Sequence, residues 1–261
     1  MTSIYYFTGT GNSLAIVREL KKCLAGECDI ISITTLVDFS FPSKKSDIIG
    51  FVFPVYFADA PDIMKKFIRN FDFNSVKYIF SVANCNSVPG IALYSVEKIL
   101  REKKSCLDAG FVLNMPGNAI VSTEEENKKR LKNFNQSIET IIKDIEERKP
   151  ISIKSYSSFF NHLVSIFFKM ASIIEFAPQK FKVSDKCIGC GLCKKICPVN
   201  NIEIIDKKPL WKNRCTVCLA CFHWCPKEAI YMKNSIIGKR KKYHHPAISI
   251  EDIIFSNTKK E

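Results

Sequence analysis

From Met1 to about Lys149, short apolar runs alternate with amphipathic stretches, the rhythm of β-α units wrapped around a parallel sheet. Five runs read as strands: Ser3–Phe7, Asp29–Ser32, Ile48–Pro54, Tyr78–Ala83 and Asp108–Val112. Each is rich in Val, Ile, Phe or Tyr and is bounded by turn residues. With helices between them, these strands predict an α/β class fold built as a doubly wound parallel five-stranded sheet. The helix that closes this part opens at Thr123, three residues before Glu126, in the pattern of a capping box. Leu131, Phe134, Ile138, Ile141, Ile142 and Ile145 then recur at helical spacing, and Pro150 stops the helix.

The most apolar stretch of the chain follows at 156–177. It is long enough to raise the question of a membrane span. Asn161, Ser165, Lys169 and Ser172 fall on one polar stripe, with Phe160, Leu163, Val164, Phe167 and Ile174 away from it. A central Lys169 is costly in lipid, so no transmembrane segment is expected. The period predicts instead a connecting helix whose apolar face docks on the neighbouring domains, with peripheral contact to a membrane surface as the alternative.

Cysteine usage changes the picture at the C-terminal end. Eight of the twelve cysteines lie between Cys187 and Cys225, while Cys23, Cys28, Cys85 and Cys106 are scattered and read as free thiols. The opening residues lack the charged and apolar regions of a signal peptide, so the expected location is the reducing cytoplasm, where disulfides are not. The formal charge of +13 favours partners with an acidic docking surface. It does not by itself predict nucleic-acid binding, because no helix-turn-helix, zinc-finger or RNA-binding motif accompanies it. The run GKRKKYHHP in the tail reads as solvated basic surface, with docking of an acidic partner as the functional alternative.

Cys187, Cys190, Cys193 and Cys197 follow C-x2-C-x2-C-x3-C-P, and Cys215, Cys218, Cys221 and Cys225 repeat it, with Pro198 and Pro226 closing the two runs. Two-residue spacers let three successive thiolates hold three corners of one iron-sulfur cube, and in this motif the fourth cysteine ligates the other cube. That rule assigns Cys187, Cys190, Cys193 and Cys225 to one [4Fe-4S] cluster and Cys215, Cys218, Cys221 and Cys197 to a second. Zinc is the competing metal, but a zinc site calls for two separated C-x2-C pairs rather than a duplicated run of this kind. With all eight ligand places filled, His223 and Trp224 read as packing and surface residues. The stretch Ser184–Ile230 resembles bacterial two-cluster ferredoxins, although nine Lys or Arg against four Asp or Glu over 181–231 depart from their usual acidity.

At the other end of the chain, the first strand runs into Thr8, Gly9, Thr10, Gly11, Asn12 and Ser13 and then into an amphipathic helix, Leu14–Leu24. Glycines, small hydroxyls and amides at a helix N-terminus form an anion site. The loop is not a nucleotide P-loop, which needs Gly-Lys-Ser/Thr, nor a dinucleotide fingerprint, whose third glycine is missing. Thr8, Thr10, Gly11 and Ser13 are similar to the T/S-x-T-G-x-T/S loop with which flavodoxins wrap the FMN phosphate. That resemblance implies further FMN contacts from Pro54, Val55, Tyr56 and Phe57 after the third strand, with Tyr56 as the ring stacked on the flavin. It also implies contacts from Asn84, Cys85, Asn86 and Gly90 after the fourth, where Cys85 serves as a small neutral filler.

Both pieces together resemble the fused flavodoxin-ferredoxin family of anaerobic bacteria and archaea. The resemblance implies a flavodoxin-like FMN domain over 1–150, a connecting helix over 151–180, a small α+β two-cluster domain over 181–231 and a basic tail over 232–261. It implies FMN and two [4Fe-4S] clusters as cofactors. The expected role is a carrier of single low-potential electrons between these centres and partner oxidoreductases. No catalytic acid or base stands out, so the enzymatic alternative is a flavin-dependent reductase in which the clusters feed FMN to reduce a small molecule.

Overall fold

The computed structural model describes residues 1–36, 46–119, 122–153, 159–175, 181–232 and 241–257. Strands β1 (Thr2–Tyr6), β2 (Cys28–Ser32), β3 (Ile48–Pro54), β4 (Tyr78–Cys85) and β5 (Ala109–Asn114) lie in the order β2-β1-β3-β4-β5. All four pairings are parallel, with Tyr5 set between Ile31 and Phe51. This order is that of the flavodoxin-like doubly wound sheet, which reverses direction between β1 and β3. Helices α1 (Asn12–Cys23), α2 (Asp62–Asn70), α3 (Ala92–Glu102) and α4 (Glu124–Glu146) cover the sheet. Burial from both sides explains why β1 and β4 are largely apolar without alternation, since every residue of each is buried. The five expected strands are all present, with ends shifted by a residue or two. The expected capping box is present as well: Glu126 N–H donates to Thr123 Oγ1 at 3.1 Å, and Thr123 N–H donates to the Glu126 carboxylate at 2.8 Å.

The cysteine-rich module is small and internally duplicated. Strand β6 (Phe181–Val183) pairs antiparallel with β9 (Ile230–Met232), and β7 (Ile202–Ile205) pairs antiparallel with β8 (Lys208–Trp211). Each cysteine run carries one short helix at the same place, α6 (Leu192–Lys195) in the first and α7 (Ala220–His223) in the second. The backbone repeats more closely than the sequence does. Gly189 and Gly191 take φ of 69° and 70°, and Val217 and Leu219, their counterparts, take 55° and 59°. Asn200 and Glu228, three residues beyond the last cysteine of each run, also match at 49° and 46°. The duplicated path therefore dictates glycine in one run and forces a left-handed conformation on a β-branched residue in the other.

Two elements depart from expectation. Helix α5 (Phe159–Glu175) packs its polar side inward rather than its apolar side. Ser165 is buried, and Lys169 Nζ reaches the carboxylate of Asp59 at 2.6 Å, while Phe160 and Phe167 stand 71% and 68% exposed. The reason is Asp59, whose buried carboxylate requires cations and takes both Lys169 and Lys65. The tail departs too. Its described part, 241–257, is not loose basic surface: helix α8 (Ile250–Asn257) and the residues before it pack on the sheet domain, with His245, Ile248 and Ile253 buried. Arg18 forks onto both oxygens of Asp252, and Tyr6 Oη meets Ser256 Oγ at 2.8 Å. Gly238, Lys239 and Arg240 of the basic run lie outside the described residues.

Candidate functional site

The chain leaves β1 at the carboxyl edge of the sheet, beside the point where the strand order reverses, and turns into α1. Gly11 makes that turn with φ of 95°, and its N–H donates to Thr8 Oγ1 at 3.1 Å. No side chain caps α1, so the amides of its first turn stay available to an anion. Asn84, at the end of β4, donates to Ser13 Oγ at 2.8 Å and to the Phe53 carbonyl at 2.9 Å, which ties the ends of β3 and β4 to the start of α1. The hairpin after β3 closes through paired Tyr56 and Asp59 backbone bonds of 2.9 Å, with Phe57 and Ala58 both at positive φ. Gly90 lies against Ala58 so closely that a Cβ there would meet the Ala58 carbonyl at 2.1 Å.

These loops surround a cavity of about 410 Å³. Of the expected FMN contacts, Thr8, Gly9, Thr10, Asn12, Ser13, Pro54, Val55, Tyr56, Phe57, Asn84, Cys85 and Asn86 line it. Gly11 and Gly90 do not: Gly11 faces the tail, where a Cβ would meet Ile248 at 3.0 Å, and Gly90 supports Ala58. Tyr56 is 8% exposed and packs edge-on against Phe7, so it is at once a core ring and a cavity wall. Burial, and then the neighbouring Cys218, push its phenol well above the usual range. Burial pushes the Cys85 thiol up to about 12.

Several lining residues escaped sequence reasoning. The loop Pro116–Ala119 after β5, Phe168 and Ala171 from α5, and Val217 from the second cysteine run all face the cavity. Only the loop after β5 carried a signal, because ligands of such sheets bind beyond the carboxyl ends of the strands. The donor set fits FMN: hydroxyls and helix amides at one end, mostly apolar walls, and Asn86 Oδ1 buried without a partner on the lining. No Lys or Arg lines the cavity among the described residues, so hydroxyls and amides would hold the phosphate.

The two cysteine quartets line two separate small cavities. One is bordered by Cys187, Cys190, Cys193 and Cys225, the other by Cys197, Cys215 and Cys218, and Cys221 borders both. Each fourth cysteine thus lies with the other run. Backbone amides point at sulfur in matching places, Asn201 N–H to Cys197 Sγ at 3.2 Å and Ala229 N–H to Cys225 Sγ at 3.3 Å. Burial pushes the Cys193 thiol up to about 11 and that of Cys218 up to about 12. A metal that takes them as thiolates must therefore displace protons. Among the described residues no three His, Cys, Asp or Glu side chains gather closely enough for one metal ion.

The second quartet is pressed against the loop of Thr8 to Ser13. A Cβ on Gly9 would meet the Cys218 carbonyl at 2.6 Å. Trp224 Nε1–H donates to the Gly9 carbonyl at 3.0 Å, and Asn118 Nδ2–H reaches the Cys218 carbonyl at 3.4 Å. His223 accepts the Tyr243 N–H on Nδ1 at 3.0 Å, which leaves Nε2–H to donate to the Asn118 carbonyl at 2.9 Å. His223 and Trp224 are packing residues as expected, but buried ones, and they join the two domains.

The family described as 4Fe-4S dicluster domain matches residues 173–230. The chain joins a sheet of flavodoxin-like order to a C-terminal segment that matches the 4Fe-4S dicluster domain. Its role is therefore in iron-sulfur electron transfer. Among solved structures, a protein described as a flavoprotein from Bacteroides uniformis ATCC 8492 is 19% identical, with a TM-score of 0.33 over 50% of this chain and 97% of its own. Rubredoxin oxygen:oxidoreductase from the anaerobe Desulfovibrio gigas is 11% identical, with a TM-score of 0.36 over 54% of this chain and 36% of its own. The flavodoxin-like assignment rests on the sheet order. No curated protein matches the chain. In this fusion no described helix is long and apolar enough to cross a membrane.

Proposed function

We propose that the protein is an electron carrier in which two [4Fe-4S] clusters and an FMN form a short wire serving partner oxidoreductases. The observation that carries this reading is the shared wall: Val217 lines the flavin-sized cavity and lies between Cys215 and Cys218, while the Cys218 carbonyl abuts Gly9 of the phosphate loop. The quartet Cys215, Cys218, Cys221 and Cys197 is then the inner one, beside the flavin. The quartet Cys187, Cys190, Cys193 and Cys225 is the outer one, with Cys190 exposed and Ile188 61% exposed as the surface offered to a partner. The cofactors supply the electron chemistry, and the chain supplies spacing, burial and amide donors to sulfur. Covalent fusion keeps the centres together without a collision between carriers.

Anaerobic purification with iron, acid-labile sulfide and released flavin quantified tests the assignment directly. The expected content is two clusters and one FMN per chain. Zinc in place of iron would end this reading. A carrier should oxidise stoichiometrically when mixed with quinone, disulfide or nitro acceptors, and sustained turnover with a reduced ferredoxin donor would favour the reductase. Tyr56→Ala should weaken flavin retention, and unchanged flavin content would remove Tyr56 from the site.

A further inference from the structure

Helix α5 is mounted the wrong way round for a helix in water. Phe159, Phe160, Leu163, Ile166, Phe167 and Met170 form one continuous stripe, and each is between 47% and 78% exposed. The opposite side is fixed by polar chemistry. Lys169 reaches the carboxylate of Asp59, which is 2% exposed, at 2.6 Å, and Lys65 reaches the same oxygen at 2.9 Å. Burial by itself would raise the Asp59 carboxyl, yet Lys169, Ser95 and Lys65 outweigh it and hold the group below the usual carboxylate range. Turning the helix to hide the stripe would take Lys169 from that buried carboxylate and leave Lys65 as its remaining cation, so the exposure of the aromatic face is favoured by the ion pair.

We propose that this face of α5 is an anchor for an anionic lipid surface. An exposed apolar stripe of this size marks an interaction site rather than ordinary surface. Charge identifies the occupant. Between Arg148 and Ser184 the sequence holds six Lys or Arg against one acid, Glu175, and the whole chain carries +13. An exposed apolar helix in a positively charged stretch of sequence suits an acidic headgroup layer, in which the apolar side chains enter the interfacial zone. The helix lies on the surface and does not span it, since no described helix is long and apolar enough to cross a membrane. A second copy would instead bring the same positive charge against itself. Phe168 and Ala171 of this helix also line the flavin-sized cavity, so anchoring holds that cavity beside the lipid.

Flotation of the full, cofactor-loaded chain with vesicles of phosphatidylcholine, alone or mixed with phosphatidylglycerol, tests the proposal at physiological salt. The protein should float with the mixed vesicles. Phe160→Glu combined with Phe167→Glu should reduce that partition by about tenfold or more, with iron content and melting temperature unchanged. Absence of flotation with mixed vesicles overturns the proposal. So does equal flotation of the double variant, which would reduce the effect to basic charge alone, and so does a dimer in light scattering that the same substitutions dissolve. Should the double variant fail to fold, Phe167→Trp serves instead: its added emission should shift to the blue on mixed vesicles, and an unshifted spectrum overturns the proposal.

Discussion

The two cysteine runs trace one backbone path but face different surroundings. Lys194 and Lys195 of α6 are exposed, whereas their counterparts in α7, Phe222 and His223, are buried. Ile196 sits where the second run has Trp224, and only the tryptophan can donate to the Gly9 carbonyl. The lesson is that ligand geometry and docking are separable. Spacing and positive φ are common to both runs, as the proposed pair of clusters would require of each, while the side chains between the cysteines decide how much of each run meets solvent and how much meets the flavodoxin-like sheet. Lys242 belongs to this asymmetry as well: its ammonium lies 3.0 Å from the centre of the Phe222 ring, and burial lowers its pKa to about 8.

The largest effect should come from breaking the crossover. Cys197→Ala removes a ligand from the inner quartet although it belongs to the outer run, and Cys225→Ala does the reverse. Each should cost about half of the iron and labile sulfide, with EPR losing the cluster of the opposite run. Loss of the same run's cluster in either variant would show that the quartets do not exchange their fourth ligands. A smaller cost is expected at Gly189, where φ is 69° and a Cβ would meet Lys207 Cβ at 2.8 Å and its carbonyl at 3.0 Å. Gly189→Ala should lower stability by about 1–3 kcal/mol in anaerobic urea unfolding, through left-handed strain and overpacking.

Docking comes next in size. Trp224→Phe keeps an aromatic ring but orphans the Gly9 carbonyl, so a loss of about 1 kcal/mol is expected, with weaker flavin retention because Gly9 is on the cavity lining. The corresponding change in the first run, Ile196→Val, should leave flavin content alone. Equal effects on flavin from both substitutions would erase the distinction between inner and outer runs.

The comparison also shows what the sequence could disclose. The five strands, the Thr123 capping box and the duplicated cysteines were legible because each is a local pattern with one physical meaning. The direction of α5 was not. A helical period reveals which residues share a face, but which face turns inward depended on Asp59, a carboxylate on a distant hairpin that had no visible need of a cation. The tail misled for the same reason: the basic letters of GKRKK suggest solvent, while the contacts that hold 241–257 come from His245, Ile248 and Ile253 against partners near the start of the chain. Val217 and Leu219 gave no sign of a left-handed backbone, since neither residue type seeks it. Only alignment with Gly189 and Gly191 of the first run could have suggested it.

That last point sets up the smallest and most discriminating change. Val217 holds φ of 55°, a conformation that costs a β-branched residue about 1–2 kcal/mol. Val217→Gly would release that strain, but it adds about 0.5–1 kcal/mol of chain entropy to the unfolded state and gives up the packing of a partly buried side chain. The opposing contributions nearly cancel, so the urea midpoint should stay close to that of the unaltered protein, whereas the same valine-to-glycine change in the middle of β3, at Val52, should be severely destabilising. A drop of more than about 2 kcal/mol at position 217 would mean that the valine side chain outweighs its own strain. The second run would then be held by its packing against the cavity wall, and not by the backbone path it shares with the first.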